Sequence, residues 1–134
     1  MVKKEVWKGS DDEALGKMSM DDFVKRTTSR ERRTLQRALK NKNKGLKKLM
    51  EKVRETKKEN PKKLIRTHIR YAVILPEWLG LTFGVYNGKE FKKVEITVHK
   101  VGKRLGDFSH TTGRVAHSGP GVGATRGSKF VPLK

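Results

Sequence analysis

The chain has 134 residues, enough for one ordinary domain, and its apolar content of 34% supports only a small core. It contains 33 Lys and Arg against 14 Asp and Glu, and the formal net charge of +19 favours a polyanionic partner, with nucleic acid as the first candidate. The absence of cysteine excludes disulfides and thiolate metal sites, and the longest aliphatic run, residues 72–75, is far too short to span a membrane.

The first 24 residues are acidic and lack an apolar stretch of signal-peptide length. They contain six Asp and Glu against four Lys, and we expect a cytoplasmic protein. The acidic pairs at 11–12 and 21–22 stand near expected helix starts, where carboxylates favour the positive end of the helix dipole. We therefore assign them no role in general acid–base catalysis.

Two segments carry the reciprocal capping pattern of a helix N-terminus. In "SDDE" (10–13) and "TSRE" (28–31) a hydroxyl residue stands three residues before a glutamate, which predicts that helices begin there. In the second helix Leu35 and Leu39 share one face and predict the side that packs on the core. The outward face then carries four arginines and is a candidate phosphate-binding surface: Arg30, Arg32, Arg33 and Arg37.

A third helix is predicted over residues 45–59, and Asn60-Pro61 must end it. Its apolar residues have the spacing of one helical face: Leu46, Leu49, Met50 and Val53. This narrow stripe lacks aromatic residues, so we interpret it as core packing and not as a membrane-surface face. Between residues 25 and 70, 19 Lys and Arg stand against four Glu, which favours polyanion contact over a merely solvated helix face.

The period then changes to that of β-strands. Residues 64–75 and 81–86 are rich in β-branched and aromatic side chains and predict two strands, with a Pro- and Gly-containing loop between them. Asn87-Gly88 predicts a tight type I′ turn in a hairpin over residues 81–97. In the second strand of this hairpin the alternation predicts a core face with four residues: Lys92, Val94, Ile96 and Val98.

The predicted fold class is α+β. N-terminal helices pack with a small, mainly antiparallel three-stranded sheet, one helical turn follows within residues 98–108, and an extended basic C-terminal tail completes the chain. We divide it into a basic helical extension (1–63), an α+β core (64–108) and a Gly-rich tail (109–134). No metal or other cofactor is expected, because the four histidines share no ligand spacing: His68, His99, His110 and His117.

The closing segment, residues 117–134, carries four glycines beside Arg126 and Lys129: Gly119, Gly121, Gly123 and Gly127. A dinucleotide fingerprint needs its third glycine one residue earlier, and a phosphate loop needs Gly-Lys-Ser or Gly-Lys-Thr, so both nucleotide motifs fail. The remaining interpretations are a basic tail that passes close to RNA backbones and a disordered terminus with no role.

A motif extends from the hairpin turn to residue 108. It consists of Asn-Gly-Lys, an aliphatic residue, aliphatic-Gly and Leu-Gly-acid-aromatic, at Asn87, Gly88, Lys89, Ile96, Val101, Gly102, Leu105, Gly106, Asp107 and Phe108. In this motif the chain resembles the universal small-subunit ribosomal protein family S-nineteen, in its archaeal and eukaryotic branch, whose eukaryotic counterpart is called S-fifteen. The resemblance covers most of residues 64–134. The basic helix at 30–39 is similar to that of the branch, whereas the Lys-rich helix is a region expected to vary.

The resemblance implies a non-enzymatic component of the small ribosomal subunit. It would bind the 3′ major domain of the rRNA in the head, beside ribosomal protein S-thirteen, with its tail directed toward the decoding site and A-site tRNA. Large-subunit elements at an intersubunit bridge are a further implied partner. The tail residues expected at the decoding site are His117, Gly119, Gly121, Gly123, Arg126, Lys129 and Lys134.

We expect one rRNA-facing surface on the body of the protein. Arg66, His68 and Arg70 alternate along the predicted strand and so share one face. The surface adds the four arginines of the basic helix and a further set from the hairpin and the segment after it: Asn87, Gly88, Lys89, Lys103, Arg104 and Phe108. The alternatives are a solvated sheet face, a generic basic nucleic-acid-compacting protein and, with less support, a nucleotide-binding enzyme that uses the Gly-rich tail.

Overall fold

A computed structural model describes residues 6–114 and has an α+β fold, as predicted. Four helices precede a three-stranded sheet, and short 3-10 turns follow the first and third strands. The helices are α1 (Asp12–Gly16), α2 (Met20–Arg26), α3 (Ser29–Leu39) and α4 (Lys44–Glu59). The strands are β1 (Ile65–Thr67), β2 (Thr82–Tyr86) and β3 (Phe91–Glu95), and the 3-10 turns are Pro76–Trp78, Val98–Lys100 and Leu105–Phe108.

A polar residue stands immediately before each helix. α3 begins after Thr28, the position that the capping pattern predicts, but the Thr28 hydroxyl donates to the Glu31 carboxylate and does not accept a backbone N–H. α4 begins after Asn43, whose Oδ1 accepts the Leu46 N–H at 3.2 Å, and it ends at the predicted boundary. α1 begins at Asp12, later than "SDDE" suggests, and the two capping patterns do not mark α2 at all.

The sheet is mixed, with β2 in the centre. β3 is antiparallel to β2 over five residue pairs, whereas β1 is parallel to it over three, so most of the pairing is antiparallel, as predicted. Only three residues of the first predicted strand (64–75) form a strand in the structure. Its apolar end, residues 72–75, is buried, but there the chain pairs with the loop before the last 3-10 turn: the Ile74 N–H donates to the Lys103 carbonyl at 2.8 Å.

The hairpin turn is longer than predicted. Tyr86 pairs with Phe91, so residues 87–90 form the loop, and Gly88 has a positive φ of 101° while Asn87 does not. A type I′ turn needs positive φ at both central residues, so that prediction is wrong. Asn87 acts through its side chain instead: its Oδ1 accepts the N–H groups of Lys89 at 2.9 Å and Glu90 at 2.8 Å.

One hydrophobic core joins the helices to the inner face of the sheet. The apolar stripe of α4 is buried. On the predicted core face of the second hairpin strand Val94, Ile96 and Val98 are buried, whereas Lys92 is exposed. Leu39 is the exception in α3: it is 51% exposed, and Ala38 packs beside Leu35 in its place. Within residues 6–114 no helix is long and apolar enough to cross a bilayer. The three-part division of the chain stays a prediction, and the predicted tail residues, His117 to Lys134, lie outside the described residues.

Candidate nucleic-acid interface

Three arginines of α3 form a free basic face. Arg30, Arg33 and Arg37 are exposed, and their spacing of three and four residues places them on one side of the helix. Their side chains make no hydrogen bond or ion pair with residues 6–114. These guanidinium groups are therefore available to a ligand, and the planar arrangement of their N–H donors matches phosphate oxygens.

The fourth arginine of this helix, Arg32, faces the protein instead of solvent. Its Nε donates to the Val24 carbonyl at 3.2 Å, and its Nη2 donates to the carbonyls of Lys25 and Thr27, both at 3.0 Å. These carbonyls lie at the C-terminal end of α2, where a helix leaves acceptors without partners. Arg32 therefore stabilises the corner between α2 and α3, and the prediction that its side chain faces outward is wrong.

Arg66 and His68 do meet on the outer face of the sheet. Both are exposed, and both contact the aromatic residues of the neighbouring strands. The guanidinium carbon of Arg66 lies 5.6 Å from the centre of the Phe91 ring. The His68 ring lies 4.5 Å from that of Tyr86 and 5.1 Å from that of Phe91.

Arg70 does not share this face, because β1 ends at Thr67 and the chain turns inward. Its guanidinium donates to three backbone carbonyls, those of Tyr86 at 2.6 Å, Gly106 at 3.0 Å and Ser109. These bonds tie the end of β2 to the last 3-10 turn. Two of the three residues predicted to share one face of the strand, Arg66 and His68, therefore do so, whereas Arg70 does not.

Arg104 also contacts protein groups, and its side chain is largely buried. Its Nε lies 3.3 Å from the Glu31 carboxylate, in an ion pair whose side chains are only 17% and 14% exposed. Its Nη2 also contacts the Thr34 hydroxyl at 3.3 Å, so this residue joins the last 3-10 turn to α3. The adjacent Lys103 is exposed.

The hairpin tip and Phe108 complete the predicted set. Gly88 and Lys89 are exposed at the tip, while the Asn87 side-chain oxygen is occupied within the loop. Phe108 is half-buried, and the Lys100 ammonium lies 5.3 Å from its ring. The sequence prediction omitted Tyr86 and Phe91 from the surface. An aromatic residue at 91, on the strand face that also carries Lys93 and Glu95, is the signal that points to it.

The chain is similar to known proteins over most of its length. The family model described as ribosomal protein S19 matches residues 23–117, which include the basic helix, the sheet and the last 3-10 turn. The small ribosomal subunit protein uS19 of one Methanococcus maripaludis strain is 45% identical over 129 residues, which are 96% of this chain and 80% of the relative. Proteins of the same name from two further strains are each 44% identical over the same lengths. The chain therefore belongs to the ribosomal protein S19 family, as its sequence motif predicts.

Proposed function

We propose that the chain binds small-subunit rRNA as a non-enzymatic structural component of the head of the subunit, in the 3′ major domain. As a member of the S19 family it is a structural protein of the small ribosomal subunit, located there in the cytoplasm. The finer statement, that it holds rRNA through its basic faces, is the proposal.

The observation that carries the proposal is the free arginine face of α3. Arg32 and Arg104 are engaged with protein groups, whereas Arg30, Arg33 and Arg37 have none among the described residues. Arginines without a protein partner form no contact that stabilises the fold, and at this helical spacing their like charges repel one another. Neutralisation of backbone phosphates explains why such a face exists, since each contact releases condensed counterions.

The proposed partners beyond rRNA follow from the family resemblance. They are ribosomal protein S-thirteen beside the body, A-site tRNA at the C-terminal tail, and large-subunit elements at an intersubunit bridge. The tail residues assigned to the decoding site are those named above. Their basic side chains and the lack of any acid after Asp107 support a segment that approaches RNA without charge repulsion.

The proposal is tested by the salt dependence of binding. The full chain is titrated with an RNA fragment of the 3′ major domain between 50 and 300 mM KCl, followed by fluorescence anisotropy. The triple substitution of Arg30, Arg33 and Arg37 by Gln should weaken binding and reduce the slope of log K against log salt by about 2 to 3, since each lost phosphate contact removes about 0.7 to 0.9.

The matched control is the triple substitution of the same residues by Lys. It keeps three positive charges and suits a helix as well as Gln does, so the slope should stay near that of the intact chain. An unchanged slope in the Gln variant would show that this face does not contact RNA phosphates and would remove the main support for the proposal.

A further inference from the structure

The outer face of the sheet carries a cluster of planar side chains that phosphate binding does not require. The rings of His68, Tyr86 and Phe91 all lie within 4.5 to 5.1 Å of one another, and the Arg66 guanidinium lies over Phe91. Rings of this kind usually pack into the core, yet this cluster lies on the face opposite the core. A solvent-facing aromatic cluster is a common feature of binding surfaces.

The strand register builds the cluster. Tyr86 in β2 pairs directly with Phe91 in β3, and Arg66 in β1 pairs with Gly84 in β2. A side chain at Gly84 would crowd this arrangement, because a Cβ there would stand 3.3 Å from Arg66 Cγ and 3.5 Å from Phe91 Cβ. The glycine thus leaves room for the Arg66 side chain to cross the strand toward the Phe91 ring.

The cluster has two layers of different exposure. Tyr86 and Phe91 are half-buried, and the Tyr86 hydroxyl is held by a hydrogen bond to the Gly88 carbonyl at 2.9 Å. His68 and Arg66 lie outside them and are exposed. The inner rings therefore support two outer planar groups whose remaining surface faces solvent.

The surroundings of the cluster suit RNA. Glu95, an acid on the same face of β3, is paired with Lys93 at 3.4 Å, so its charge is offset. For phosphate alone a lysine would serve, whereas planar imidazole and guanidinium groups match the faces of nucleobases. Bases inside an A-form helix are already stacked, so such a surface selects a base that is unpaired.

We propose that the His68 ring and the Arg66 guanidinium form a stacking platform for an unpaired base of the bound RNA. This inference rests on the proposed function and adds the chemical group that the sheet recognises. The α3 face neutralises phosphates without regard to sequence, while the platform requires a base that is free to leave its helix.

The test compares two probes that differ only in their bases. The full chain is titrated by fluorescence anisotropy with a single-stranded RNA octamer and with an abasic octamer of the same length and charge. The intact chain should bind the base-containing octamer roughly 5- to 150-fold more tightly, the range for one stacked base. His68→Ala and Arg66→Lys should each lower this preference several-fold.

Two controls isolate stacking from charge and from folding. Arg66→Lys keeps the positive charge, so binding of the abasic octamer and its salt slope should not change. His68→Phe keeps a planar ring and should retain the preference that His68→Ala loses. Because both residues are exposed, the melting temperatures of the variants should match that of the intact chain.

Two outcomes would overturn the inference. The first is equal affinity of the intact chain for the two octamers, and the second is a preference that His68→Ala leaves intact. If the variant with intact preference also fails to join small subunits, the cluster is assigned to a protein partner. Neither outcome affects the proposed function, whose own test is the salt-dependent binding of rRNA by the intact chain and its change in the Gln variant.

Discussion

Arg66 and Arg70 lie only four residues apart and have the same side chain, but substituting each should change a different property of the protein. Arg66 lies on the outer face of the sheet, whereas the Arg70 guanidinium donates to the carbonyls of Tyr86, Gly106 and Ser109. We expect Arg70→Ala to lower the stability of the free protein, and Arg66→Ala to weaken rRNA binding with no change in stability.

The size of the stability loss follows from the three hydrogen bonds. A hydrogen bond to a charged group contributes about 1.5 to 3 kcal/mol, but Arg70 is only half-buried and water can reach some of the freed carbonyls. We therefore expect a loss of about 2 to 4 kcal/mol in the free energy of unfolding. For a domain of this size that lowers the melting temperature by roughly 7 to 15 °C. Arg66→Ala should change the free energy of unfolding by less than about 0.5 kcal/mol.

The assay measures both properties on the same preparations. Thermal unfolding of the full chain without RNA is followed by circular dichroism, and rRNA binding is measured at 10 °C, where both variants should be folded. Arg70→Lys is the matched control, because its ammonium keeps the charge but cannot reach three carbonyls at once, and it should unfold at an intermediate temperature. A normal melting temperature for Arg70→Ala, together with weakened rRNA binding, would refute the structural role.

Further substitutions test other contacts. Arg104→Ala should cost about 2 kcal/mol of unfolding free energy in urea titrations, because it leaves the largely buried Glu31 carboxylate without its ion-pair partner. Adding Glu31→Ala should recover part of this loss, and additive effects of the two substitutions would contradict the coupling. Gly106→Ala should lower the free energy of unfolding by about 1 to 3 kcal/mol, because its Cβ would stand 3.0 Å from the Arg70 carbonyl oxygen. The control Gly113→Ala, with open space around it, should cause no measurable loss. Equal melting temperatures of the two variants would show that the structure adjusts to the close contact at no cost. Removal of residues 117–134 should leave folding and subunit assembly intact and weaken A-site tRNA binding in assembled ribosomes; truncated subunits that bind tRNA and decode normally would favour a terminus with no role.

Local signals explain how much of the fold is predictable from the sequence. The start of α3, the extent of α4 and the core face of β3 depend on capping residues and on an apolar period within a few residues. The strand predicted over 64–75 shows the limit of such signals. Its apolar end is buried, and its backbone forms hydrogen bonds with residues 102–105 and not with a neighbouring strand. A buried apolar run has the same sequence pattern whether or not it belongs to a sheet.

The candidate site is predictable in its chemistry but not in its individual residues. The excess of Lys and Arg indicates a polyanion, and the sequence alone does not distinguish the nine Lys and Arg of the predicted surface from one another. Which of them is free depends on distant acceptors: Arg70 meets a carbonyl at residue 106, and Arg104 meets the carboxylate of Glu31. The Leu-Gly-acid-aromatic motif now has a physical reason, because Gly106 packs against the Arg70 backbone and Asp107 accepts the Arg104 N–H at 3.1 Å.

The central claim, that the chain is an rRNA-bound component of the small ribosomal subunit, is tested most directly by sedimentation. A lysate of cells that express the tagged full chain is separated on sucrose gradients at low salt, with and without prior treatment by DNase or RNase. The chain should sediment with small subunits and with whole ribosomes, withstand DNase, and move to the top of the gradient after RNase. Sedimentation with the nucleoid that DNase abolishes would contradict the claim and would identify a DNA-compacting protein instead.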